Sequence, residues 1–115
     1  MKRKQFGQTS LEVSILTFGC GAVGGLMTKG RPGDQDRAVA WARDNGINHF
    51  DTAPSYGDTV SETNLGRALG SNREGIVVST KVGFTQGELE DIDTAAQDSL
   101  NASLRRLQQD HVDIF

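Results

Sequence analysis

Two short apolar segments of this chain each end on an ionisable residue. The segment 47–51 closes on Asp51, the segment 76–81 closes on Lys81, and Tyr56 stands on the turn that follows the first. Both segments have the length and the β-branched or aromatic content of a strand. In parallel α/β sheets, ligands bind and reactions occur at the carboxyl ends of the strands. The pattern therefore favours an enzyme built on a parallel sheet.

The rest of the chain extends this pattern into alternating strands and helices. After a hairpin over residues 5–13, the sequence predicts strands at 15–18, 47–51 and 76–81, and helices at about 34–46, 61–70 and 91–107. Residues 112–115 begin a fourth strand. This is the order of a parallel sheet with right-handed crossover connections.

Several helical side chains carry specific expectations. Ser61 and Asp91 are predicted to be N-caps of the second and third helices, since their side-chain oxygens can accept from the first turn. Trp41 is predicted to lie on the apolar stripe of its helix, in the core. Arg105 and Arg106 are interpreted as a solvated helix end, favourable against the negative end of the helix dipole.

Charge and composition exclude several classes of protein. Twelve basic and fifteen acidic residues give a net charge of -3 without a long basic run, so neither nucleic acid nor an anionic membrane is expected as a partner. The basic residues near Met1 are followed by polar residues rather than by the apolar run of a signal peptide. Cys20 is the only cysteine, which excludes an internal disulfide and is typical of a cytoplasmic protein.

A series of spaced motifs resembles the aldo-keto reductases. They follow one another in order: Gly46–Ala53 with Tyr56-Gly57, Ser61-Glu62 with Leu65–Leu69, Ser79-Thr80-Lys81, and Ser103–Leu107 before Val112-Asp113-Ile114. The resemblance implies a (β/α)8 TIM barrel whose N-terminal end is plugged by the hairpin. Residues 1–115 would be the N-terminal part of this single barrel domain: the hairpin, roughly the first three βα units and the start of strand 4.

The resemblance also implies a function and a set of site residues. Asp51, Tyr56 and Lys81 match three of the family's four catalytic positions, and the reaction is reduction of a small aldehyde, ketone or sugar, or its reverse. The fourth position, a histidine, belongs a few residues beyond Phe115, and His111 at the start of the strand is not its equivalent. We therefore expect the 115 residues alone neither to reduce carbonyl compounds nor to bind the dinucleotide tightly.

The three residues form a plausible proton donor. A free phenol has a pKa of about 10 and is a poor acid near neutrality, but an adjacent ammonium favours the phenolate and lowers a phenol's pKa. Tyr56 is therefore predicted to be the general acid, Lys81 its activator and Asp51 the support of Lys81. Strand periodicity places Asp51 on one face of its strand and Lys81 on one face of the next, so inward faces would bring the two charges together.

The expected cofactor is NADP, with NAD as the alternative. The loop Gly19–Gly25 formally matches the pattern G-x-G-x-x-G, which alone is a weak signal. We interpret it as a place where backbone approaches the nicotinamide or the substrate, at Gly21, Ala22 and Val23, with Asp51 beside them. Cys20 is expected to be a packed side chain.

His49 lies one layer deeper on the face that carries Asp51. It is expected to be a hydrogen-bonded interior histidine, because no second ligand stands near it at metal-site spacing, and no metal is predicted.

Other interpretations remain open at this point. Taken singly, Asp51 could cap a turn, Tyr56 could be an exposed turn aromatic and Lys81 a solvated strand end. A cofactor-binding regulatory subunit on the same fold would keep the same residues. An open Rossmann-like domain of this length would bind a nucleotide without reducing anything.

Overall fold

A computed structural model describes residues 1–115 as a small hairpin and a parallel sheet packed against helices. The strands are β1 Arg3–Gln5, β2 Glu12–Ser14, β3 Thr17–Gly19, β4 His49–Asp51 and β5 Val77–Ser79; the helices are α1 Leu26–Lys29, α2 Pro32–Asp44, α3 Val60–Leu69 and α4 Ile92–Leu107, with a 3-10 turn at Gly87–Glu90. The predicted strands and helices occur in the predicted order, but the strands are shorter, β3 begins at Thr17, and α1 and the 3-10 turn are additional to the predicted elements.

The sheet has the parallel topology that the sequence predicts. β1 and β2 pair antiparallel, and β3, β4 and β5 form one parallel sheet in chain order. Phe18 pairs with Phe50, and Phe50 with Val78, so the three strands are level with one another. The predicted fourth strand is present as a single parallel bridge from Ile114 to Ser79.

Alternate residues of the strands divide the sheet into a helix-packed face and an opposite face. Phe50 and Val78 belong to the buried core, together with residues from the helices and loops: Cys20, Met27, Val39, Ala42, Leu65, Leu69 and Leu107. His49, Asp51 and Ser79 alternate with the core residues and therefore lie on the opposite face. In a barrel, that face is the interior.

Helix α2 places different residues in the core from those expected. Its buried residues are Gln35, Val39 and Ala42, at the spacing of four and three that defines one face. Trp41 is 64% exposed, so its predicted place in the core is wrong. It lies two residues after Val39, which puts it about 200° around the helix from the buried face.

Helix α3 begins one residue before the predicted cap. Its N-cap is Thr59, and Ser61 is already helical, so the prediction of Ser61 as N-cap is wrong. The Ser61 hydroxyl is buried and donates to the backbone oxygen of Cys20 at 2.8 Å. Gly57, Asp58 and Thr59 precede the helix with φ values of 62°, 50° and 72°, three left-handed residues in succession.

Helices α3 and α4 pack in direct backbone contact. A Cβ on Gly66 would lie 2.5 Å from the Arg106 carbonyl oxygen and 2.8 Å from the Leu107 backbone. Helix α4 is capped as predicted, by the Asp91 carboxylate accepting from the Thr94 amide at 3.2 Å.

Candidate active site

Strands β4 and β5 bring Asp51 and Lys81 together at the carboxyl end of the sheet. Asp51 is the last residue of β4, and Lys81 follows the end of β5 by two residues. The Lys81 Nζ donates to Asp51 Oδ1 at 2.8 Å and to the Thr52 carbonyl oxygen at 2.8 Å. The two charges thus meet as the strand periodicity predicts, although the strand register pairs Asp51 with Ser79 rather than with Lys81.

Tyr56 lies beside this ion pair on the turn after β4. The Lys81 Nζ is 5.1 Å from the centre of its ring. The turn is held by hydrogen bonds from the Tyr56 amide to the Ala53 oxygen at 3.1 Å and from the Ser61 amide to the Tyr56 oxygen at 3.2 Å. The amide and the carbonyl of Tyr56 are therefore both hydrogen-bonded, which holds its side chain close to the Lys81 ammonium.

The charge of Lys81 is stabilised at this position. Partial burial acts to lower the pKa of Lys81, but the hydrogen bond and the attraction of the Asp51 carboxylate outweigh it, and the pKa is raised above its ordinary value. The ammonium is therefore fully protonated in the neutral range. Its side chain is 47% exposed, which leaves room for a substrate to approach.

A buried acid on the helix side supports the residue before Lys81. Thr80 Oγ1 donates to Glu62 Oε1 at 2.6 Å, and Arg106 Nε donates to Glu62 Oε2 at 2.5 Å. The Glu62 side chain is fully buried and that of Arg106 is 23% exposed. The interpretation of Arg106 as part of a solvated helix end is therefore wrong, because its guanidinium neutralises a carboxylate inside the protein; Arg105 is exposed as expected.

Sequence reasoning missed Glu62, although a signal for it exists. Glu62 precedes Leu65 by three residues and Leu69 by seven, so it belongs to the same face of α3 as these two core leucines. A carboxylate on a buried stripe requires a cationic or hydrogen-bonding partner. The partner, Arg106, is 44 residues away along the chain.

The inner face of the sheet carries a second set of contacts to Asp51. Ser79 Oγ donates to Asp51 Oδ1 at 2.7 Å. His49 Nε2 lies 3.1 Å from Ser79 Oγ, and His49 Nδ1 lies 3.0 Å from Thr17 Oγ1. His49 is thus hydrogen-bonded through both ring nitrogens, as expected of a structural histidine. Burial lowers the pKa of His49, against the opposing effect of Asp51.

The glycine-rich loop begins at the same edge of the sheet. A Cβ on Gly21 would lie 3.7 Å from the ring atoms Cε2 and Cζ of Tyr56, so this residue packs its backbone against the phenol. Ala22 is exposed and Val23 fully so. Of the three loop residues predicted to contact the cofactor, Gly21 is therefore the one that lies against Tyr56.

Cys20 is not a reactive group of this loop. The residue is fully buried, and burial raises the pKa of its thiol to about 12. Its backbone amide donates to the Asp51 oxygen at 2.9 Å, which ties the start of the loop to β4. Cys20 is therefore the packed side chain that the sequence predicts.

The structure contains neither a cluster of metal-binding side chains nor a membrane-spanning helix. No group of three or more histidine, cysteine, aspartate or glutamate side chains is arranged to hold a metal ion. No helix has both the length and the apolar character needed to cross a bilayer.

Comparison with curated proteins gives relatives over nearly the whole chain. An L-galactose dehydrogenase from Arabidopsis thaliana is 38% identical over 97% of this chain and 36% of its own length. A probable voltage-gated potassium channel subunit beta, also from Arabidopsis thaliana, is 33% identical over all of this chain and 36% of its own length. The chain thus spans little more than a third of these relatives.

Comparison with solved structures confirms the predicted fold class. The holo form of an aldo-keto reductase from Bacillus halodurans matches with a TM-score of 0.80 and 32% identity, over 98% of this chain and 38% of that one. An aldo/keto reductase from Klebsiella pneumoniae, in complex with NADP and acetate, matches with a TM-score of 0.67 and 27% identity, over 89% of this chain and 34% of that one.

These neighbours are (β/α)8 barrels, and the match excludes the open Rossmann-like alternative. Residues 15–115 match the profile of the Aldo/keto reductase family. The hairpin, the parallel strands and the cluster at their carboxyl ends are thus those of a known group of oxidoreductases, and the chain belongs to the aldo/keto reductase family.

Proposed function

We propose that these residues form part of the active site of an NADP-dependent reductase of small aldehydes, ketones or sugars, with Tyr56 as general acid. The observation that carries the proposal is the cluster of Asp51, Lys81 and Tyr56. An ammonium hydrogen-bonded to a carboxylate lies 5.1 Å from the centre of a phenol ring. A turn cap, an exposed aromatic and a solvated strand end, taken as three separate roles, would not explain why these side chains lie together.

Tyr56, Lys81 and Asp51 have different roles in the proposed proton transfer. Reduction of a carbonyl requires a proton on oxygen, and the hydroxyl of Tyr56, whose ring centre lies 5.1 Å from the Lys81 Nζ, would donate it. The positive charge of Lys81 stabilises the phenolate that remains after transfer. Asp51 keeps that ammonium charged and in place. The nicotinamide, when bound, supplies the hydride that no side chain can provide.

The cofactor and substrate classes rest on the loop and on the relatives. Gly21, Ala22 and Val23 would contact the nicotinamide together with Asp51, since Gly21 packs against the Tyr56 ring and the next two residues are exposed. NADP is the preferred form, since it is the dinucleotide in the Klebsiella pneumoniae complex. A sugar substrate is supported by the L-galactose dehydrogenase among the relatives.

The test uses a chimera in which residues 1–115 replace the matching segment of the Bacillus halodurans reductase. We expect the chimera to oxidise NADPH in the presence of small aldehydes or sugars. Tyr56→Phe removes only the hydroxyl and should lower kcat about 10²–10⁴-fold, with an unchanged dissociation constant for NADPH. Near-normal turnover of the Phe variant would contradict the role of Tyr56 as the acid.

A second candidate is a cofactor-binding regulatory subunit with slow turnover. It is supported by the potassium channel subunit beta among the relatives. Under this alternative the chimera binds NADPH, while Tyr56→Phe changes neither the binding nor the negligible turnover with any carbonyl compound. The two candidates therefore differ in the size of the Tyr56→Phe effect.

A further inference from the structure

Four polar side chains form a continuous hydrogen-bonded row across the inner face of the sheet. Thr17 lies on β3, His49 and Asp51 on β4, and Ser79 on β5. The successive contacts are 3.0 Å from Thr17 Oγ1 to His49 Nδ1, 3.1 Å from His49 Nε2 to Ser79 Oγ, and 2.7 Å from Ser79 Oγ to Asp51 Oδ1. The row ends on the carboxylate that binds Lys81.

The chemistry of the groups determines where each proton lies. An ionised carboxylate only accepts, so the single hydroxyl proton of Ser79 must point at Asp51. Ser79 Oγ can then only accept from His49, which places the imidazole proton on Nε2. The neutral ring accepts at Nδ1 from the Thr17 hydroxyl. Every donor in the row is therefore directed towards Asp51, an arrangement in which each hydrogen bond polarises the next.

We propose that Ser79 and His49 are positioning residues of this active site: their hydrogen bonds hold the Asp51 carboxylate in the orientation that binds Lys81. The inference rests on the proposed role of Tyr56 and Lys81. Ser79 and Lys81 both donate to the same oxygen of Asp51, at 2.7 and 2.8 Å. Ser79 thus selects the side-chain rotamer of Asp51, and His49 selects the direction of the Ser79 hydroxyl.

Asp51 and Ser79 differ in their exposure to water, which explains why the carboxylate needs a fixed hydrogen-bond donor. The Asp51 side chain is 33% exposed, so water competes for its oxygens. Ser79 is only 5% exposed and cannot exchange its partner for bulk water. The charged groups that act on His49 are Asp51, Asp113 and Lys81, and the Phe6 ring packs edge-on against the imidazole with its centroid 6.4 Å away. Thr17, at the far end of the row, is exposed, so Ser79 is the buried member that fixes Asp51.

The test compares two variants of the chimera that differ only in a hydroxyl. Ser79→Thr keeps the hydroxyl and Ser79→Val replaces it by a methyl group of similar shape. We expect Ser79→Val to have a kcat about tenfold below that of Ser79→Thr, the loss typical of one hydrogen bond to a charged group. The alkaline limb of its pH profile should move upward, because a loosened Asp51 holds Lys81 less well against the phenol. KM for NADPH should stay equal.

Two controls separate this inference from neighbouring explanations. Thr94→Val makes the same exchange of a hydroxyl for a methyl group outside the row, where Thr94 Oγ1 donates to Asp91, and should leave the pH profile unchanged. Nitrogen-15 NMR of the imidazole, assigned with His49→Gln, should show the proton on Nε2 whether or not the chimera is active. Equal kcat and pH profile in Ser79→Val and Ser79→Thr, or a proton on Nδ1, would overturn the proposal. If Tyr56→Phe is inactive in that case, the proposed function still stands.

Discussion

Asp51 and Lys81, 30 residues apart along the chain, are joined by a 2.8 Å hydrogen bond across two neighbouring parallel strands. The register pairs Asp51 with Ser79, so Lys81 reaches back from two residues beyond the paired position. Lys81 also donates to the backbone oxygen of Thr52, the residue directly after β4, so one side-chain oxygen and one backbone oxygen hold the ammonium. The Tyr56 ring lies beside the same ammonium, with its centre 5.1 Å from Nζ.

Replacing Lys81 by Met should remove most of the activity of the chimera by removing a charge. The phenol of Tyr56 loses the cation that favours its ionised form, so the pH limb of any residual activity should move upward. The measurement is kcat/KM for carbonyl reduction between pH 6 and 10, roughly the range over which phenols and amines titrate. A lower rate with an unchanged pH profile would instead assign Lys81 a purely positional role.

Replacing Glu62 by Gln should destabilise the protein strongly, since it leaves the guanidinium of Arg106 without its charged partner. Loss of one member of a buried pair costs about 3 kcal/mol or more in the free energy of unfolding. The matched control is Arg37→Met, which breaks the exposed pair with Asp34 and should cost less than about 1 kcal/mol. Urea unfolding measures both, and equal effects would contradict the structural role of Glu62.

Replacing Thr59 by Gly should stabilise the loop before α3. Thr59 has φ 72°, a left-handed conformation that costs a β-branched residue about 1 kcal/mol or more and a glycine very little. We expect the free energy of unfolding to rise by about 1 kcal/mol. Gly57→Ala is the opposite case: φ is 62° and the new Cβ would meet Thr28 at 3.0 Å, so it should destabilise.

The two histidines should influence stability with opposite dependence on pH. Burial lowers the pKa of His49 below 6.5, so the unfolded state binds the proton more tightly and stability falls as the pH drops through 6.5. The hydrogen bond to Asp110 raises the pKa of His111 above 6.5. The stability that His111 adds to the folded protein is therefore complete below pH 6.5 and is lost as the pH rises through the pKa of His111 in the folded state.

Urea unfolding of His49→Gln and His111→Gln between pH 5 and 8 measures these contributions. The stability difference between the original protein and His49→Gln should shrink as the pH falls. The same difference for His111→Gln should grow. Parallel pH dependences of the two variants would contradict the assigned environments.

The meeting of Asp51 with Lys81 follows from sequence because it depends on local rules. Each closes a short apolar segment, strands alternate their faces, and parallel strands end at one edge of a sheet. No knowledge of distant contacts is needed. The hydrogen-bonded state of His49 follows from the same alternation, which places it beneath Asp51.

The helix-side support of the site depends on contacts that the sequence does not display. Glu62 lies on the apolar face of α3, but its partner Arg106 resembles a solvated charge until α3 and α4 are packed together. Trp41 belongs to the apolar stripe that the sequence suggests for α2, but the buried face follows the period of Gln35, Val39 and Ala42, which includes a polar residue and excludes Trp41. The sequence does not reveal the cap of α3, because the chain enters that helix through left-handed residues and a β-branched residue such as Thr59 gives no signal of that conformation.

The backbone contact at Gly66 sets a limit on how this part of the barrel wall can vary. Any side chain there would push α4 outward, because a Cβ would come within 2.5 Å of the Arg106 oxygen. Arg106 would then be drawn away from Glu62. Glu62, which accepts from Thr80 next to Lys81, would lose its counter-charge. A single methyl group on helix α3 would thus disturb Lys81 at the end of the sheet without moving the strands. The effect would pass from Gly66 to Arg106, then to Glu62, and then to Thr80.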